Sequence, residues 1–258
     1  MLRPRIIPSL LVHKGGLVKT INFKNPKYVG DPLNAVRIFN EKVVDELIVV
    51  DIDASVLGKE PDYKLIGELA SECRMPLCFG GGVQTPEQVE KIISLGVEKV
   101  AIGSAAIENS QLIESSAERV GNQSIVVVMD VKRTGILTKN YELFIHNGKK
   151  STGLNAGDFA KRMESIGAGE ILINNIDRDG ILSGYDMDLI SEVRQKVNIP
   201  ITALGGAGRL ADISEIFKEF GIIGASAGSI FVFKGKYRAV LIQYPSEIEK
   251  NELLNARS

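Results

Sequence analysis

The chain carries almost no net charge, two cysteines, no tryptophan and no long hydrophobic run, and most of these scarcities exclude something. With 31 Lys and Arg against 32 Asp and Glu in 258 residues, the formal charge is −1. Proteins that bind polyanions concentrate a basic excess on one face, so neither nucleic acid nor an anionic membrane is an expected partner. Cys73 and Cys78 are too few for a disulfide framework and lack the paired spacing of a zinc site. They read as reduced core thiols in a cytoplasmic protein, and neither a metal nor a cofactor is expected. No apolar stretch approaches the roughly 18 to 20 residues that span a bilayer. Residues 3–12 imitate a signal peptide, but Pro4, Pro8 and the absence of a small-residue cleavage site make them a first strand instead.

What the chain does have is alternation. Short apolar runs at 6–12, 47–50, 77–79, 100–102, 125–129, 171–173, 201–203 and 222–225 are separated by helical patterns, the order of βα units on a parallel sheet. Most runs are apolar throughout, as strands buried on both faces are. Thr85-Pro86-Glu87-Gln88 is a helix start with a cap, a proline at the first helical position and a capping-box partner. Helical spacing recurs over 188–197 and 212–220. About eight units at this length fit a (βα)₈ barrel, which typically runs to about 250 residues.

An internal repeat strengthens the barrel reading. Gly80-Gly81-Gly82-Val83 recurs as Gly205-Gly206-Ala207-Gly208, and Gly103-Ser104 as Gly228-Ser229, both at an offset of 125 residues; Asp51-Ile52-Asp53 answers to Asn175-Ile176-Asp177 at 124. Solenoid repeats are roughly 20 to 50 residues long, so this period implies two half-barrels, about 1–120 and 121–245, with a variable tail at 246–258. Residues 133–152 break the pattern as a long loop with room for a small hairpin. The glycine pairs follow predicted strands, at the end where such barrels hold their active sites. Glycine lets backbone N–H groups approach a ligand, and those beside a helix start favour phosphate. Gly82 with Gly103 and Ser104 makes one candidate phosphate cradle. Gly206 with Gly228 and Ser229, helped by Asp179 and Gly180, makes a second on the opposite side, so the expected small-molecule ligand carries a phosphate at each end.

Arg5-Ile6-Ile7, Lys19, Gly30-Asp31-Pro32, Asp45-Glu46-Leu47, Asp51, Gly80-Gly81-Gly82, Lys99-Val100, Asp130, Gly167-Ala168-Gly169-Glu170-Ile171, Ile176-Asp177-Arg178-Asp179-Gly180, Ser183-Gly184-Tyr185-Asp186 and Gly205-Gly206-Ala207-Gly208 together resemble the cyclase subunit (HisF) of imidazole glycerol phosphate synthase. The resemblance covers nearly the whole chain. It implies a TIM barrel that docks a class I glutaminase at its amino-terminal face and conducts ammonia to a two-phosphate substrate at the other. That substrate would be a phosphoribulosyl formimino aminoimidazole carboxamide nucleotide, with Lys19 and Asp51 beside it. Arg5, Glu46, Lys99 and Glu170 stand at the starts of four predicted strands, and charges facing a barrel axis must pair. The resemblance makes them the gate of the ammonia channel.

The reacting end departs from the family. The resemblance implies two catalytic aspartates, one ending the first strand and one ending the fifth. The second is Asp130; the first position is Leu11, in Ser9-Leu10-Leu11-Val12-His13-Lys14 where the family has Cys-Leu-Asp-Val-Lys-Asp. Leucine transfers no proton, and losing one member of an acid–base pair typically forfeits about 10² to 10⁴ in rate. Asp53 and Asn174 replace threonines, Leu204 a serine, Gly103-Ser104 an Asn-Thr pair and Val232 a histidine. His13 is a conceivable substitute acid but reads better as a loop histidine. Residues 235–245 look like relatives that serve surface-sugar pathways, where a glutaminase and a cyclase-like barrel feed ammonia to a separate amidotransferase making acetamidino sugars. The expected function is therefore an ammonia-channelling HisF-like subunit with impaired cyclisation. The alternatives are the standard histidine-pathway subunit, a non-catalytic scaffold that activates the glutaminase, and a sugar-phosphate isomerase, the last disfavoured because it too needs an acid at Leu11. Lys14-Gly15-Gly16 suggests a flexible first loop over 12–20.

Overall fold

A computed structural model describes residues 3–135 and 140–255. Eight strands form the barrel: β1 (Arg5–His13), β2 (Leu47–Asp51), β3 (Leu77–Gly80), β4 (Lys99–Ile102), β5 (Ile125–Thr134), β6 (Glu170–Asn175), β7 (Ile201–Leu204) and β8 (Gly224–Ala227). Each pairs in parallel with the next, and β8 returns to β1 with Arg5 opposite Gly224 and Pro8 opposite Ala227, which closes the sheet. Helices α1 (Pro32–Glu41), α2 (Tyr63–Glu72), α3 (Pro86–Ser94), α4 (Gln111–Val120), α5 (Ala156–Ser165), α6 (Met187–Arg194), α7 (Leu210–Phe220) and α8 (Glu247–Asn255) follow the strands in turn. The barrel predicted from the alternation is the barrel observed.

The strands are apolar throughout because both faces are covered. On β1, Ile6, Leu10 and Val12 point outward into the main core beneath the helices, while Ile7 points inward. Ile7 meets Ile48, Cys78, Ala101, Val126 and Leu172 in a separate apolar layer across the lumen. Helix α3 begins as its sequence dictates: the Gln88 N–H donates to Thr85 Oγ1 (3.3 Å) and the Thr85 N–H to Gln88 Oε1 (3.2 Å), with Val89 and Ile92 buried. Asp186 caps α6 by accepting the Leu189 N–H (3.3 Å).

Three sequence expectations are corrected. The eighth strand is Gly224–Ala227 rather than 222–225, and Ile222 is half exposed. It opens on a glycine because a Cβ on Gly224 would lie 2.0 Å from Thr202 Oγ1, so hydrophobic density marks the wrong end of the strand. The first loop is not slack: Gly16–Ile21 pairs with the end of β1 and with Lys24–Gly30. Lys14 and Gly15 form a two-residue hairpin turn with positive φ at both positions (50° and 79°), which such turns require. The glycine repeat has an offset of 124, not 125. Gly81 and Gly205 are the equivalent pair, since each is held where a Cβ would lie about 2.5 Å from the carbonyl oxygen ending the preceding strand, Asp51 or Asn175. Residues 133–152 do contain a hairpin, because β5 runs on to Thr134 and pairs antiparallel with Asn140–Ile145, which pairs with Lys150–Asn155.

Candidate active site

At the amino-terminal end of the lumen, four side chains from four strands meet. Arg5 pairs with Glu46 and places Nη2 2.7 Å from Glu170 Oε1; Lys99 Nζ lies 2.9 Å from Glu46 Oε1 and 2.8 Å from Glu170 Oε2. The Thr202 hydroxyl donates to Glu170 Oε1 (2.5 Å). Both carboxylates are buried and the ring is neutral in sum, which is how charges are tolerated out of water. Burial alone would raise the Glu170 carboxyl, but Arg5 and Lys99 outweigh it and hold the group well below the usual carboxylate range. All four residues singled out from the sequence are thus brought together. Directly above them lies the apolar layer of Ile7, Ile48, Cys78, Ala101, Val126 and Leu172.

Beyond that layer the lumen widens into a cavity of about 130 Å³ whose floor includes Ile48, Ala101 and Leu172 and whose wall includes Ser9, Leu11, Val128, Asp130, Asn174 and Leu204. Asp130 sits on the inward face of β5 and pairs in register with Asn174 of β6. The Asn174 amide donates to Asp130 Oδ1 (3.0 Å). Burial pushes the Asp130 carboxyl up to about 7; the Asn174 hydrogen bond opposes the shift and the charge of Asp179 adds to it. Leu11 lines the same cavity and offers no proton to match it.

The expected phosphate residues fall into two groups on opposite sides. Gly103 and Ser104 line the cavity with Asp51, Ser55, Gly80 and Gly81. Gly82 stands just behind this lining: its N–H donates to Ser55 Oγ (3.3 Å), and a Cβ there would meet the Lys59 carbonyl oxygen at 2.6 Å. At the offset of 124 residues Gly82 is the equivalent of Gly206, which lines the other hollow. Lys19, Asp179, Gly180, Gly206, Gly228 and Ser229 line a second cleft of about 40 Å³. The two hollows share Ser9, Leu11, Phe23, Asn174 and Leu204, so they are the ends of one site. Lys19 Nζ donates to the Ser9 carbonyl oxygen (2.6 Å), and burial lowers its pKa to about 8 against the opposing charge of Asp179. Asp51 is spent on the turn after β2, accepting the N–H groups of Asp53 (2.8 Å) and Ala54 (3.2 Å).

Two tips close over the mouth. Asn22 Nδ2 donates to the carbonyl oxygens of Ile176 (2.8 Å) and Asp177 (2.9 Å), which seats Phe23 between the two hollows. From the other hairpin, the His146 N–H donates to Ser104 Oγ (3.2 Å) and Asn147 Nδ2 to the Ile52 carbonyl oxygen (2.9 Å). His13 lies outside both hollows, with Nδ1 2.7 Å from Asp53 Oδ1.

The sequence pattern of the family described as "Histidine biosynthesis protein" matches residues 5–238. The chain is 56% identical over 253 residues to the "Putative imidazole glycerol phosphate synthase subunit HisF" of Leptospira interrogans, covering 98% of this chain and 99% of that one. The chain belongs to the HisF family. A Vibrio vulnificus relative, "Putative imidazole glycerol phosphate synthase subunit hisF3", is 54% identical over 98% of this chain and 97% of its own. The "Imidazole glycerol phosphate synthase subunit HisF" of Lactococcus lactis subsp. lactis is 38% identical over 98% and 96%.

Within this HisF barrel, sequence reasoning missed Asn174 as the partner of Asp130, though its departure from threonine marked the position. It also missed Phe23 and Asn147, whose placement depends on hairpin tips that no local pattern aims. Among the described residues no helix is long and apolar enough to cross a membrane, and no group of His, Cys, Asp and Glu side chains could hold a metal ion.

Proposed function

We propose that this HisF-family subunit docks a class I glutaminase at its amino-terminal face, conducts ammonia through the barrel and supplies it to a separate amidotransferase that amidinates a surface sugar, with little cyclase turnover of its own. The observation that carries the reading is the contrast between the ends of one lumen. The ring of Arg5, Glu46, Lys99 and Glu170 is complete, while the cavity that holds Asp130 presents Leu11 where a second proton-transfer group would stand. Neutral ammonia crosses the apolar layer between them at far lower cost than an ammonium ion. A hollow of about 620 Å³ lined by Arg3, Asp45, Arg74, Pro76 and Lys250 lies beside the strand starts, on the face assigned to the glutaminase. The relative named hisF3 shares more identity than the L. lactis HisF does, in keeping with a paralogue.

Gly103-Ser104 and Gly228-Ser229 lie where a ligand with two phosphates would be held at both ends. Small-molecule sites usually measure about 300 to 1,000 Å³, so such a ligand enters only when the tips at Phe23 and Asn147 lift. One observation favours a second reading, the standard histidine-pathway cyclase: an Asp130 carboxyl held near 7 suits proton transfer in either direction at neutral pH. Co-purification with the cognate glutaminase, followed by measuring which additions stimulate glutamine hydrolysis, separates the two. Stimulation by an amidotransferase and its sugar, but not by the histidine-pathway nucleotide, is expected; the reverse pattern overturns the proposal.

A further inference from the structure

The net charge of −1 conceals a local excess. Between β8 and α8 the chain makes one helical turn (Ser229–Val232) and then a short hairpin, in which Phe233–Lys234 pairs with Ala239–Val240. Residues 224–246 contain Lys234, Lys236 and Arg238 but no Asp or Glu. Residues 16–30, the first hairpin, contain Lys19, Lys24 and Lys27 and again no Asp or Glu. The two segments meet on one ring: Lys27 Nζ lies 5.1 Å and the Arg238 guanidinium 4.6 Å from the centre of Phe233. Lys24, Lys27, Lys234 and Lys236 are exposed, and among the described residues neither they nor Arg238 pair with a carboxylate. Two exposed tyrosines, Tyr28 (66%) and Tyr237 (90%), stand in the same segments. Elsewhere on this face the charges are mixed, with Lys59 next to Glu60 in the chain and His146 Nε2 3.1 Å from Glu108 Oε1.

This patch flanks the outlet of the lumen. Phe23, which lines both hollows, leads directly into Lys24, and a groove of about 410 Å³ beside Phe233 shares Leu182 and Ser229 with the second hollow. The groove is lined by Arg209 and Arg238. Arg209 bonds Asp212 (3.0 Å), yet its side chain is 78% exposed. The one carboxylate in the lining, Glu249, is turned to the N–H and hydroxyl of Ser246 (both 2.8 Å). Like charges gathered without counter-charges repel one another and are relieved by an incoming anion, and a guanidinium pairs with a carboxylate through two hydrogen bonds. A confined patch suits the carboxylates of a protein surface better than a membrane, whose anions would also meet the exposed Glu60 and Glu108. Tyrosine and arginine are residues that protein interfaces favour. We propose that the rim formed by residues 24–28 and 233–238 docks an acidic segment of the protein that accepts the ammonia. This rests on the delivery reading above and adds to it where the acceptor sits: against the outlet, so that ammonia passes between proteins without diluting into bulk water.

The test measures association of the full chain, bound to its glutaminase, with the cognate amidotransferase at low and high salt. One variant carries Lys24→Glu, Lys234→Glu and Lys236→Glu, which leaves the two cations on Phe233 in place. A control carries the same change of charge on the exposed outer faces of α2, α5 and α7, as Lys64→Glu, Lys161→Glu and Lys218→Glu. Circular dichroism confirms that both are folded. The rim variant should associate about tenfold or more slowly than the parent at low salt and lose the salt dependence, while the control keeps both and all three bind the glutaminase equally. A rim variant that associates as the control does overturns the docking surface and leaves ammonia delivery standing. A parent that binds the glutaminase but not the amidotransferase overturns the delivery reading and the rim with it. Binding of the parent to phosphatidylglycerol vesicles that the rim variant loses, with amidotransferase association unchanged, assigns the patch to a membrane and overturns the proposal.

Discussion

Replacing Glu170 by glutamine tests whether the four-charge ring is a coupled unit or a set of independently solvated ends. Glu170 accepts from Arg5 (2.7 Å), Lys99 (2.8 Å) and Thr202 (2.5 Å), and its side chain is 7% exposed. Glutamine keeps the shape but leaves two cations facing one carboxylate, Glu46. Breaking a fully buried pair costs about 3 to 5 kcal/mol. Arg5 and Lys99 are 20% and 19% exposed, so water takes up part of the excess charge and we expect about 2 to 4 kcal/mol. At this chain length, each kcal/mol moves the melting temperature by roughly 2 to 4 °C, so Glu170→Gln melts on the order of 10 °C lower. The pH dependence has a definite sign. The folded carboxyl is depressed from 4.5 to about 2, so its contribution is fully present above pH 4.5 and is lost as the pH falls toward 2. Urea unfolding of both proteins between pH 7 and pH 3 reads the difference, which should shrink on acidification. A loss under about 0.5 kcal/mol at neutral pH, in the range of a surface substitution, refutes the coupled ring.

Other substitutions probe the opposite end. Leu11→Asp restores a second carboxyl beside Asp130 and should raise ammonia-dependent cyclisation of the histidine-pathway substrate by about 10² or more, measured by imidazole product formation; no gain in a folded variant means that Leu11 is not the defect. Asp130→Asn should stabilise the protein by about 1 to 3 kcal/mol above pH 7, because a carboxyl raised to about 7 penalises folding more as the pH climbs from 3.8 to 7. That gain should vanish near pH 4, and a pH-independent difference counts against burial as its cause. Lys19→Met should be more stable than the parent below pH 8, where the depressed amine is charged at a cost that fades between pH 8 and 10.5. The same variant should bind a bisphosphorylated ligand about 10-fold or more weakly by calorimetry, and unchanged affinity removes Lys19 from the second cradle.

The barrel was legible because its strands are buried on both faces and its helices carry explicit starts, as at Thr85 and Gln88. Boundaries slipped where sterics rather than hydrophobicity set them. The strand from Gly224 to Ala227 opens on glycine because Thr202 and Ile7 leave no room for a side chain there. The charged ring was readable because Arg5, Glu46, Lys99 and Glu170 each hold a strand-start position, and parallel registration brings such positions level. A three-glycine run does not reveal how its members align with the second half of the chain; that depends on the Asp51 carbonyl oxygen, which fixes Gly81 as the equivalent of Gly205. The caps over the mouth were beyond reach, since Phe23 and Asn147 are aimed by hairpin tips held to Ile176, Asp177 and Ile52, contacts far away in sequence.

The central claim is that this HisF barrel moves ammonia but hardly cyclises. Turnover of the histidine-pathway nucleotide by the purified chain with saturating ammonium chloride tests it most directly. The account predicts a rate at least about 100-fold below that of a HisF with both aspartates, the usual effect of losing one member of an acid–base pair. Equal rates under the same conditions would contradict it.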